Sequence, residues 1–131
     1  MERNEKTRAL LAAFGCALAY LLAGKVLTAV LPQVPEEAAR MWAFVHRCAA
    51  APIVEELVFR GAIQQLARPL GERQAVALQA VLFAVQHRGP AGMAYALVCG
   101  LVLGTLRSRT GSVWPGMLLH TLNNLLVFAA G

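Results

Sequence analysis

Apolar residues fill five stretches of the chain, Ala9–Leu31, Met41–Ile63, Gln74–His87, Ala91–Leu106 and Ser112–Ala130. Turn-forming groups fall between them: Pro32 to Pro35, Pro69 to Gly71, Gly89-Pro90 and Thr110-Gly111. Strict alternation of polar and apolar residues is missing, so the stretches predict helices rather than strands. The expected fold is all-α, a polytopic membrane helix bundle of about five helices. The first stretch is long enough to span about 30 Å of hydrocarbon, whereas the third and fourth are short for spans. Small residues recur every four positions at Gly15, Ala19 and Ala23, and again at Gly92, Ala96, Gly100 and Gly104. That spacing lets helix backbones approach closely in lipid, where no hydrophobic drive holds helices together. The fourth stretch therefore reads as scaffold for the third and fifth.

Composition strengthens the membrane reading. In 131 residues, 58% are hydrophobic and only 15% charged, and a mean hydropathy of +0.56 lies outside the soluble globular range. The net charge of +5 would suit a nucleic-acid partner, but the basic residues lack aromatic interleaving and cluster between apolar stretches. Nucleic-acid binding is excluded on that ground. With the N-terminus inside, the inner loops hold Arg3, Lys6, Arg8, Arg68, Arg73, Arg107 and Arg109, and the outer loops only Arg40 and Arg88. This asymmetry predicts a cytoplasmic N-terminus and an outward C-terminus if all five stretches span. Cys16, Cys48 and Cys99 are odd in number, widely spaced and apolar in context, and read as core residues. A retained N-terminal membrane anchor with its loop is expected over residues 1–40, and a core of four helices over 41–131.

The second stretch breaks its own pattern. Glu55, Glu56 and Arg60 stand inside it, and a charge in hydrocarbon costs at least about 2.5 kcal/mol, so such groups face a protein interior. Glu56 and Arg60 are four apart on one helix face and predict a buried ion pair. Glu55 is rotated by about 100° from its neighbour and points toward a different partner. One carboxylate is then neutralised while the other is left to act as base or ligand. His87 ends the third stretch, and His120 and Asn124 lie four apart in the fifth. Counting about 1.5 Å per residue, Glu55, His87, His120 and Asn124 fall at similar depth although three helices carry them. Gln79 and Gln86 read as inter-helix hydrogen bonders, and Trp42 and Trp114 as interface anchors.

At these residues the sequence resembles the CPBP family of CAAX-processing and bacteriocin-processing intramembrane proteases, also called the Abi family. Two glutamates, three residues and an arginine match Glu55 to Arg60, with the usual glycine at Gly61. Phe83-x-x-x-His87 and His120-x-x-x-Asn124 match the second and third motifs, and the resemblance covers roughly 50–127. It implies an endopeptidase that hydrolyses peptide bonds of membrane proteins or peptide tails. Glu55 with His87 would activate water, Glu56 and Arg60 would orient Glu55, and His120 with Asn124 would stabilise the oxyanion. A zinc ion or similar divalent metal on Glu55, His87 and His120 is one version of the site. The other is a metal-free glutamate mechanism, favoured by the Arg60 cation beside the two glutamates. The resemblance also implies a bacterial inner membrane and, because members usually carry more helices, a homo- or hetero-oligomer that seals the cavity. Two other readings of the cluster stand beside the protease: a proton- or metal-ion-coupled transporter, and a non-catalytic membrane adaptor on the same scaffold.

Overall fold

A computed structural model describes residues 2–31 and 34–131. Five helices make up the bundle and no strand occurs among the described residues: α1 (Glu2–Val30), α2 (36–66), α3 (Glu72–Ala84), α4 (Gly89–Thr110) and α5 (Trp114–Ala130). A short 3₁₀ turn, Arg68–Leu70, joins α2 to α3. α1 and α4, of 29 and 22 residues, are long and apolar enough to cross a membrane. The expectation that the fourth stretch is short for a span is thereby corrected. Gly89-Pro90 and Arg107 to Thr110 continue the helix beyond the apolar stretch at both ends.

Each end of these helices has a local cause. Gly71 and Gly111, at φ +110° and +70°, take backbone conformations that other residues adopt only at a cost, and they start α3 and end α4. Pro90 disfavours a helical conformation in the residue before it, and Gly89 sits at φ +72°. α3 stops at Ala84, and His87 lies in the turn between it and this break rather than on the helix end.

α2 is continuous but not uniform. Wide π-helical turns occupy His46–Ala50 and Glu56–Ile63. Pro52 explains the first. Its ring conflicts with the carbonyl of the preceding turn and it has no N–H to donate. The helix responds by widening, so that the Ala51 N–H donates to the His46 carbonyl five residues back. In that register the Arg47 carbonyl should receive Pro52, which offers it no donor.

The core is assembled from small residues and phenyl rings. Ala13 and Ala17 of α1 pack with Phe59 and Ile63 of α2, Ala75 and Phe83 of α3, and Ala96 of α4. Gly100 lets α4 lie directly on α3: a Cβ there would come within 2.8 Å of the Ala80 Cα. Two glutamines lock α4 in place, one from α3 and one from α2. Gln79 Nε2 donates to the Gly100 carbonyl at 2.7 Å, and Gln64 Nε2 to the Gly104 carbonyl at 3.0 Å. The small-residue stripe and the polar residues thus act together, backbone approach exposing carbonyls that the amides reach. Gln86 behaves differently, donating to Leu82 within its own turn of chain.

Candidate active site

The centre is built around Glu56. Its side chain is wholly buried, as is that of Arg60, and the guanidinium Nη1 lies 3.2 Å from Glu56 Oε1. The expected ion pair one helical turn apart is present. The imidazole of His120 on α5 reaches the same oxygen, with Nδ1 3.0 Å from Glu56 Oε1. Its other ring nitrogen turns to the neighbouring carboxylate, Nε2 standing 3.6 Å from Glu55 Oε2. His120 therefore bridges the two glutamates, one through each nitrogen. A carboxylate beside an arginine can only accept, which assigns the Nδ1 proton to a hydrogen bond toward Glu56.

α5 comes this close because of Gly116. A Cβ at that position would sit 2.6 Å from Glu56 Oε2. One helical turn later α5 presents His120, so the glycine sets the distance and the histidine uses it.

Phe83 arranges the aromatic wall. Its ring stands edge-on to those of Phe59, His87 and His120, at centroid distances of 5.1, 4.8 and 5.8 Å. The Arg60 guanidinium carbon lies 4.5 Å from its centroid, a cation–π contact on a desolvated charge. The ring thus supports both the arginine that fixes Glu56 and the histidine that reads it.

His87 and Asn124 are placed less centrally. His87 Nδ1 lies 3.0 Å from the carbonyl of its own Phe83, and the ring flanks the wall. Asn124 Nδ2 donates at 2.8 Å to the Arg47 carbonyl, the group that Pro52 leaves without a helical donor. The amide fills a gap in α2 rather than pairing with His120. Among the described residues, no three His, Cys, Asp or Glu side chains are arranged to hold a metal ion. Glu55, His87 and His120 do not form the three-ligand zinc set in this arrangement.

Tyr20 is the site residue that motif reasoning missed. It lies on α1, its ring edge-on to Phe59 at 5.6 Å, and its hydroxyl faces the Glu55 carboxylate. The available signal was modest: one aromatic with a polar tip in a helix of Leu, Ala and Gly. Gly116 was missed as well, because a glycine in a helix reveals its purpose only through what packs against it.

An apolar helical bundle enclosing a Glu–Arg–His cluster defines a buried carboxylate–imidazole centre. A family model described as type II CAAX prenyl endopeptidase Rce1-like matches residues 37–126, and the chain belongs to that family of membrane proteases. The match takes in every motif residue from Glu55 to Asn124. No curated protein and no solved structure matches the chain.

Proposed function

We propose that the protein is an intramembrane endopeptidase whose nucleophile is a water held between Glu55 and His120. The observation that carries this reading is the 3.6 Å between Glu55 Oε2 and His120 Nε2, with Nδ1 already anchored on Glu56. Both facing atoms are acceptors when Glu55 is ionised and His120 neutral. One water can donate a hydrogen to each, and its lone pairs are then free to attack a peptide carbonyl. The water oxygen bonds to the carbonyl carbon while Glu55 takes its proton. As the C–N bond breaks, that proton passes to the departing amine, so Glu55 serves as base and then acid. Glu56 and Arg60 are positioning residues, because they act through His120. Tyr20 supplies a hydroxyl beside Glu55, and His87 and Asn124 are assigned to oxyanion stabilisation as further donors.

No step of this mechanism passes through a metal. The substrate class is a membrane-associated protein or peptide tail, and the N-terminus faces the cytoplasm of a bacterial inner membrane, as the seven-to-two distribution of loop cations favours. The test is cleavage of anchored peptide tails by purified protein in vesicles, with and without a chelator. Native protein should cut in both conditions. Glu55→Gln, nearly isosteric, should lose at least about a thousandfold in kcat while still inserting, the scale of removing a general base together with water positioning. Retained cleavage in Glu55→Gln would refute the assignment of the base, and loss of cleavage with chelator would refute the metal-free route.

A further inference from the structure

A second line of polar side chains, outside the Glu–Arg–His cluster, crosses the bundle at α5. The Tyr95 hydroxyl on α4 donates to Asn123 Oδ1. Asn123 Nδ2 donates to Asn124 Oδ1 at 3.4 Å, and Asn124 Nδ2 donates to the Arg47 carbonyl of α2 at 2.8 Å. Three helices are thus joined end to end, and the contact between the two asparagines is the longest link. Neither Tyr95 nor Asn123 takes part in the proposed chemistry. Tyr95 is 52% exposed, and Val98 and Val102 are exposed on the same stripe of α4. A hydroxyl among apolar neighbours carries a cost unless it is paired.

The direction of every bond follows from one end of the line. The Arg47 carbonyl can only accept, and Pro52 leaves it without a helical donor, so the atom that reaches it is the Asn124 nitrogen. Asn124 Oδ1 is then turned to Asn123, which has to answer with its own nitrogen. Asn123 Oδ1 is left facing Tyr95, and the phenol has to donate. A side-chain amide has nearly the same shape either way round, so only its partners decide which end points where. Turning Asn124 over would set oxygen against the Arg47 carbonyl and nitrogen against nitrogen. Tyr95 closes the line, because without its hydroxyl Asn123 is free to rotate away from Asn124.

This orientation matters for chemistry. With Oδ1 bound to Asn123 and one Nδ2 hydrogen on Arg47, Asn124 keeps its second Nδ2 hydrogen unspent among the described residues. A developing oxyanion takes a donor, whereas an amide oxygen in the same place would repel it. We infer that Tyr95 and Asn123 are positioning residues that hold the Asn124 amide with a hydrogen, not its oxygen, available to the oxyanion of the proposed cleavage. The inference rests on the endopeptidase reading and on Asn124 as an oxyanion donor, but the orientation is measurable without cleavage.

The chain has three asparagines, Asn4, Asn123 and Asn124. Full-length protein isotope-labelled at the asparagine side-chain nitrogen therefore shows three amide groups by NMR in detergent micelles, assigned with Asn4→Gln and Asn124→Gln. Tyr95→Phe keeps the ring and deletes the hydroxyl. It should move the Asn124 signal together with that of Asn123 and leave Asn4 in place. Asn123→Leu, which removes the middle of the line, should move the Asn124 signal as well. In vesicles Tyr95→Phe should lower kcat about three- to tenfold, the size of one neutral hydrogen bond, with KM within about twofold. In an Asn124→Ala background the same change should cost nothing further in kcat, because the residue it acts through is gone. An Asn124 signal unmoved in both Tyr95→Phe and Asn123→Leu overturns the inference, whatever the activity. Native kcat in Tyr95→Phe, or a full further loss in the Asn124→Ala background, reduces the line to helix packing and overturns it too. If the Asn124 signal moves but native protein cuts no tail, the orientation stands and the endopeptidase reading falls.

Discussion

Phe83 touches Arg60, Phe59, His87 and His120 with one ring, and Gly116 sets the approach of α5 to Glu56. The charged members of the centre were legible in the sequence because charge is costly in an apolar helix, and four-residue spacing named the Glu56–Arg60 pair. Gly116 was not legible, since its role is the space it leaves. Gly116→Ala places a methyl 2.6 Å from a carboxylate oxygen that has no room to retreat beside Arg60. Overpacking of this kind costs about 1–3 kcal/mol. We expect a lower midpoint of thermal unfolding in detergent and a cleavage rate that falls further than the stability loss explains, because Glu56 sets the orientation of His120. Ala75→Gly, a small change in the core two turns before Phe83 on α3, should lower the midpoint without that excess loss in rate.

At the scale of elements, the widening of α2 ties its first half to α5. Pro52 removes the donor that the Arg47 carbonyl needs in a π-helical register, and Asn124 supplies one from the next layer. Nothing in the spacing of His120 and Asn124 could reveal this, because the acceptor is a backbone group exposed only by a helix irregularity 77 residues earlier. The same blindness applied to His87, which the apolar run carries to the helix end but which Gly89-Pro90 leaves in a turn. A double-mutant cycle separates the two roles open to Asn124. Asn124→Leu should cost about 1 kcal/mol by leaving the carbonyl unpaired. Pro52→Ala restores a backbone donor, so in that background the same change should cost less, giving a coupling of about 0.5–1 kcal/mol in thermal or denaturant unfolding. Strict additivity would remove the link between the proline and the amide. Cleavage in the double variant then tests the proposed oxyanion role of Asn124, since the stability cost has been offset.

The largest revision comes at the scale of the whole molecule and concerns α1. Its hydropathy and position at the start of the chain read as an anchor, a reading that attends to its exposed side, where Leu11, Leu18 and Leu22 lie. The opposite side, Ala9, Ala13 and Ala17, is buried, the latter two in one cluster with Phe59 and Ile63, and Tyr20 brings its hydroxyl to Glu55. α1 therefore forms a wall of the site, and its alanines are small because α2 lies against them. Two substitutions on one helix separate wall from anchor. Leu18→Ala removes a side chain that is 57% exposed and should leave cleavage and unfolding within experimental scatter. Ala13→Phe forces a ring into a position with 0% exposure. It should cost about 1–3 kcal/mol or displace the helix outright. Cleavage should fall in parallel, although every motif residue from Glu55 to Asn124 is unchanged and α1 still inserts. Tyr20→Phe should then lower kcat with little change in the unfolding midpoint, because it deletes one hydroxyl and keeps the packing against Phe59. If Ala13→Phe cleaves normally, α1 is only an anchor, and the site must close without it.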